Sequence, residues 1–121
     1  MALEEKIEII GLPDEGRFKI VQLFMDKHPV MLCASTKNSH QYILGDYLKS
    51  KGIDYALMPE GEHMLPSVKG ERYEVVGMGE CEIKLHLNFF QLPCGKSYDY
   101  SIGPNEDFNE QLKKQFEGWF F

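Results

Sequence analysis

The chain is expected to fold as an α+β domain: a mixed, mainly antiparallel sheet of about six strands with two helices. Three stretches carry that expectation. Val30-Met31-Leu32-Cys33-Ala34 is an unbroken apolar run, as in a strand buried on both faces, and an amphipathic helix pattern follows it. From Cys81 to Phe89 the alternation is strict, with Cys81, Ile83, Leu85, Leu87 and Phe89 on one side and Glu82, Lys84, His86 and Asn88 on the other. A second helix pattern, opened by Asn105 and stopped by Gly118, lies near the C-terminus.

Taken in order, Ile7, Ile9 and Ile10 predict a short first strand, and Gly11 to Gly16 a turn. Arg17 to Met25 carries two apolar sets, Phe18, Ile20 and Phe24 against Val21, Leu23 and Met25, so a central strand is expected. Lys19 is the charged exception near its start. Asp26-Lys27-His28-Pro29 turns the chain back into Val30 as an antiparallel hairpin. Asn38 or Ser39 can cap the first helix, in which Tyr42, Ile43, Tyr47 and Leu48, with Leu44 beside them, form the apolar stripe. Asp46, Lys49 and Ser50 face water, and Gly52 is the left-handed stop. Ile53 to Met58 resumes as a strand, which makes a strand–helix–strand crossover unit.

Pro59, Gly61, Pro66 and Gly70 then break the chain into loop. Arg72 to Val76 is a strand, and Gly77 and Gly79 mark a bulge or a close backbone approach before the alternating stretch. Leu92 to Lys96 turns, Tyr98 to Ile102 alternates, and Trp119-Phe120-Phe121 is a last strand packed into the core or a subunit interface. In the second helix Glu106 and Asp107 open the first turn, Lys113 and Lys114 lie near the end, and Phe108, Leu112, Gln115 and Phe116 set the inner face. Both helices are expected on one face of the sheet, and residues 1–121 form a single domain.

Composition narrows the class. The 121 residues are 43% hydrophobic and 26% charged, the balance of a globular chain and not a disordered one. No apolar run reaches the roughly 18 residues of a membrane span, and the N-terminus lacks the pattern of a signal peptide, so a cytoplasmic protein is expected. Cys33, Cys81 and Cys94 are an odd number without a CxxC pair, which fits a reduced compartment and excludes a zinc ribbon. The net charge of −6 with scattered basic residues argues against a nucleic-acid surface. No cofactor or metal is called for by any motif.

The element order resembles that of the phosphohistidine phosphatases, the Janus/Ocnus family. Glu15-Gly16-Arg17-Phe18-Lys19-Ile20-Val21 is similar to that family's acidic-Gly-x-Phe-Lys strand start, and His40 opens a helix as the family's catalytic histidine does. Pro59 to Glu62 resembles its glycine turn, and Val75-Val76-Gly77-Met78-Gly79 stands where its phosphate-binding loop is expected. The family's arginine is replaced by Glu62 and His63 and its loop serine by the Gly77–Gly79 region, its tryptophan segment is missing, and Cys81 to Lys96 reads as an insertion. The resemblance implies the fold more than the activity. It is shared with small archaeal proteins of unknown function that keep this fold with a degraded active site.

His40 is the candidate catalytic base, since a histidine in a helix's first turn can move protons near neutral pH. Lys19 and Ser39 are the candidate anion-binding residues, with the helix amides favouring negative charge and Ser35 and Thr36 as further donors. Against this stands an ordinary capping-turn histidine, and it is favoured because no third group completes a constellation. Glu60, Glu62 and His63 read as a solvated loop, His86 as a surface residue, and Cys33 and Cys81 as core. The expected role is therefore non-catalytic binding or assembly as a homo-oligomer. The alternative is a phosphate-directed enzyme or phospho-ligand binder that uses His40 and Lys19 on a small anionic or phosphorylated ligand. A thioredoxin-like fold with Pro66 as its cis-proline ranks third, with Lys37 to His40 standing where its redox cysteines belong.

Overall fold

The computed structural model describes residues 5–13, 16–53, 69–84, 89–91 and 103–115. Among these residues five strands and two helices follow in the order β1 (Glu8–Ile10), β2 (Gly16–Met25), β3 (His28–Ser35), α1 (His40–Ser50), β4 (Tyr73–Lys84), β5 (Phe89–Gln91) and α2 (Glu106–Gln115). The strands form one sheet in the order β1-β3-β2-β4-β5. Only β1 and β3 run parallel, and the other three pairings are antiparallel, so the sheet is mixed and mainly antiparallel. The expected strands at 54–58, 98–102 and 119–121 lie outside the described residues. Ile53 itself lies just past the end of α1, bonded back to Leu48, and is not in a strand.

The two apolar sets of β2 decide the layering. Val21, Leu23 and Met25 join Val30 and Leu32 of β3 beneath Ile43, Leu44, Tyr47 and Leu48 of α1. Phe18 and Ile20 join Met31, Cys33 and Cys81 beneath Phe108 and Leu112 of α2. The helices therefore cover opposite faces, where one shared face was expected. The reason is burial: β2 and β3 are apolar on both sides, and a sheet with two apolar faces needs a cover on each. The first strand follows the same division, with Ile9 and Ile7, the residue just before β1, packed on the α2 side.

The β2–β3 hairpin closes through a two-residue turn, Asp26-Lys27, with Met25 opposite His28. Both turn residues have positive φ, 48° and 71°, as the twist of a primed hairpin turn requires. No glycine relieves that geometry. Arg72 holds it instead, donating from Nε to Asp26 Oδ1 at 3.0 Å and from Nη2 to Oδ2 at 2.9 Å. The backbone N–H of Asp26 also donates to the Arg72 carbonyl at 2.7 Å. Pro29 is tolerated inside β3 because it sits opposite Phe24, one position beyond the stretch that pairs with β1.

Helix α1 begins where a local signal places it. Ser39 is the N-cap, and its hydroxyl accepts from the Tyr42 N–H at 3.2 Å. At the other end Gly52 takes φ 75°, its N–H bonds the Lys49 carbonyl at 3.0 Å, and Ile53 N–H bonds the Leu48 carbonyl at 2.9 Å. These two bonds define a Schellman stop, and Ile53 packs onto the α1-side core as such motifs do. Tyr42 does not belong to the apolar stripe: it is 60% exposed. Ile43, Leu44, Tyr47 and Leu48 fill the face without it, and Tyr42 falls at the stripe's outer edge.

Strand β4 runs unbroken through Gly77-Met78-Gly79, so the two strands expected there are one. Its pairing with β2 slips once: Leu23 faces Val75 while Gln22 faces Gly77, and Val76 is the extra residue of a bulge. The bulge resets the alternation, which puts Tyr73, Val75 and then Met78 on the α1 side. The same reset turns Gly77 toward α2. A Cβ there would lie 2.3 Å from Gln22 Oε1 and 2.6 Å from the backbone nitrogen of Asn105. The alternating stretch also ends sooner than expected, because β5 returns antiparallel with Phe89 opposite Lys84. Period-2 alternation looks the same on both sides of a strand reversal, so the pattern could not reveal it.

Asn105 gathers α2 onto this bulge. Its side-chain oxygen caps the helix by accepting from Phe108 N–H at 3.1 Å. Its Nδ2 donates to the Val76 carbonyl at 3.4 Å, and its own N–H donates to Gln22 Oε1 at 2.7 Å. Gln22 is fully buried, and its Nε2 lies 3.5 Å from Asn109 Oδ1 and 3.8 Å from Met31 Sδ. A buried amide is tolerable only when bonded this way. At the far end of α2, Gln115 clasps the Ile7 backbone, accepting its N–H at 2.9 Å and donating to its carbonyl at 2.8 Å.

Candidate functional site

The three sequence-derived candidates lie on the α1 side of the sheet, near the start of that helix. Ser39 ends the turn after β3 and His40 is the first helical residue. Lys19 lies in β2 with Ala34 opposite it on β3 and Glu80 opposite it on β4. The next pair along β2 and β4 is Ile20 with Gly79, and the Gly79 carbonyl is what His40 reaches. The register thus brings Lys19 and His40 to neighbouring positions of one sheet face.

Each candidate already has a structural task or a balancing charge. His40 is only 5% exposed, and its Nε2 lies 3.0 Å from the Gly79 carbonyl oxygen. A carbonyl can only accept, so Nε2 carries the hydrogen and donates. The imidazole works as a clasp between the N-terminus of α1 and the strand beneath it. The Ser39 hydroxyl accepts from Tyr42 N–H as the helix cap. Lys19 is half-buried and directly opposite a carboxylate, Glu80, which Arg17 also binds at 2.8 Å. Two cations flanking one carboxylate leave modest positive potential for an anion.

The segment that stands in place of a phosphate-binding loop is not a loop. Val75 to Gly79 lies inside β4, with Val75, Gly77, Met78 and Gly79 paired to β2. Met78 N–H is further committed to the Gly103 carbonyl at 3.1 Å. A loop cradles an anion by turning several free amides toward one point, which a paired strand does not do. Glu60, Glu62, His63, Pro66 and His86 lie outside the described residues. His28 is exposed at the hairpin and meets Glu5 at 2.6 Å.

The two described cysteines are core residues. Cys33 and Cys81 are free and buried, on β3 and β4 with β2 between them. Burial pushes the Cys33 thiol up to about 12, and burial raises that of Cys81 further, with smaller contributions from Cys33 and Glu80. Neither is a thiolate nucleophile near neutral pH. Among the described residues no group of three or more His, Cys, Asp or Glu side chains is placed to hold a metal ion. Nor is any of their helices long and apolar enough to cross a membrane.

Two features escaped the reading of the sequence. Gln22 gives no sign of its role, since a glutamine in an apolar strand reads as an interruption. The second feature is a cleft of about 250 Å³ between α1 and the β1–β3 edge. Tyr42, Asp46 and Ser50 line its helix wall, with Asn38 in the turn before the helix, and Ile10, Leu32 and Ala34 line its sheet side. The four-residue spacing of that helix wall was the available signal. Compared with known proteins, the chain matches no protein family and no curated sequence.

Proposed function

We propose that the protein is a non-catalytic binding or assembly protein, acting in the cytoplasm as a homo-oligomer on a scaffold like that of the phosphohistidine phosphatases. The observation that carries this reading is the condition of His40. Its ring is buried and its Nε2 is bonded to a backbone carbonyl, a structural arrangement and not that of a base facing substrate. The Ser39 cap and the pairing of β4 point the same way. The two buried free thiols suit a reducing compartment.

A phosphate-directed enzyme or phospho-ligand binder is the second reading. The adjacency of Lys19 to the position that holds His40 favours it. The discriminating experiment is phosphate release from a phosphohistidine peptide and from an aryl phosphate, by the protein and by His40→Ala. The first reading expects no release by either form and a discrete oligomer by light scattering. Release by the parent that is lost in a folded His40→Ala would overturn it in favour of the second. A strictly monomeric species would remove the assembly role.

A further inference from the structure

We propose that the cleft between α1 and the β1–β3 edge binds a small organic cation, an alkyl- or arylammonium whose hydrocarbon part rests on the sheet while its charge meets Asp46 and Glu8. The cleft holds about 250 Å³, close to the lower end of small-molecule sites. Its sheet side is apolar, made by Ile10, Leu32 and Ala34. Tyr42 and Asp46 stand one helical turn apart on the opposite wall. Tyr42, at 60% exposed, and Ile10, at 37%, are among the large apolar side chains the chain leaves open to solvent.

Charge specifies the ligand. Asp46 lines the cleft, and Glu8 lies two residues before Ile10 on the same face of β1. Among the described residues neither carboxylate has an ion-pairing partner. Glu8 and Asp26 act on the Tyr47 phenol, whose pKa is raised by burial first and by these two carboxylates after it. Tyr47 lines the cleft too, and the chain's own Lys51 places Nζ 5.5 Å from its ring centroid. The Tyr47 ring is thus already taken by the chain's own ammonium, and the tyrosine face open to a ligand is that of Tyr42. Negative charge, the exposed Tyr42 ring and an apolar floor together select a cation with a hydrocarbon body over an anion or a neutral molecule.

The test uses phenethylammonium and its neutral counterpart 2-phenylethanol, titrated into the ¹⁵N-labelled protein. An ion pair and one cation–π contact at a partly exposed site predict about tenfold tighter binding of the ammonium. Shifts should fall on the amides of Ile10, Ala34, Tyr42 and Asp46, and the preference should shrink as salt is added. Glu8→Gln with Asp46→Asn, two exposed substitutions, should bring the two affinities together. Equal affinities in the parent protein would overturn the proposal. So would the absence of saturable shifts at millimolar ammonium, or a preference that survives the double substitution. Phosphate release through His40 would remove the reading of the previous subsection and leave this one standing, because the two concern different sites.

Discussion

Gly77→Ala tests how α2 is joined to the sheet. The new Cβ would stand 2.3 Å from Gln22 Oε1 and 2.6 Å from the Asn105 backbone nitrogen, where real contacts begin near 3.0 Å. Gln22 can swing away only by giving up its bond from Asn105 N–H and leaving that group unpaired, at a cost of about 1–3 kcal/mol. The backbone nitrogen cannot rotate away, so α2 must shift, which costs about 1–3 kcal/mol as overpacking. Replacing glycine in a strand returns about 0.5–1 kcal/mol through the unfolded chain. The net loss is then about 3 kcal/mol, a large share of the roughly 5–15 kcal/mol of a small domain. Urea unfolding followed by circular dichroism measures it, with an unchanged slope showing that the folded state is still compact. In the Gln22→Ala background the clash with Oε1 is gone, so the same substitution should cost about 1 kcal/mol less than it does alone. A Gly77→Ala protein within about 0.5 kcal/mol of the parent would refute the close packing of α2 on the bulge.

Three further outcomes follow from other parts of the fold. Lys27→Gly should stabilise the hairpin by about 0.5–1 kcal/mol, because a lysine at φ 71° bears a left-handed cost that outweighs the added freedom of glycine. A rise in the thermal midpoint checks it. The Asp26 carboxyl is held below its ordinary 3.8, chiefly by the hydrogen bonds from Arg72. Its stabilising effect is therefore complete above pH 3.8 and is lost as pH falls through the depressed folded-state value. The stability gap between the parent and Asp26→Asn, measured from neutral pH downward, should close only in that acid range. In a Cys94→Ser protein, Cys33 and Cys81 should resist a thiol-specific reagent at pH 8 until denaturant is added, as buried thiols with raised pKa values do. Fast labelling of the native form would contradict their burial.

The candidate site was legible in its residues and not in their duties. A histidine in a helix's first turn reads as a base because sequence places it beside free amides and says nothing of what lies over it. Only the packing of α1 on β4 puts the Gly79 carbonyl 3.0 Å from its ring. The cleft was harder still, since it exists only where the wall of α1 meets the β1–β3 edge of the sheet.

Local chemistry alone determined much of the fold. Ser39 and Asn105 as caps, Gly52 as the stop of α1 and the hairpin at Asp26-Lys27 all depend on residues a few positions apart. Such bonds form within one turn or one hairpin, so the order of residues is enough to place them. Tertiary structure decided the rest. It set α1 and α2 on opposite faces, joined two expected strands into β4 and turned Gly77 toward Asn105 through a bulge at Val76. It also drew His40 into the interior. Each of these is a contact between segments far apart in the chain. The pairing of strands and the need to cover both apolar faces of one sheet settle such contacts, and neither is written in any single stretch.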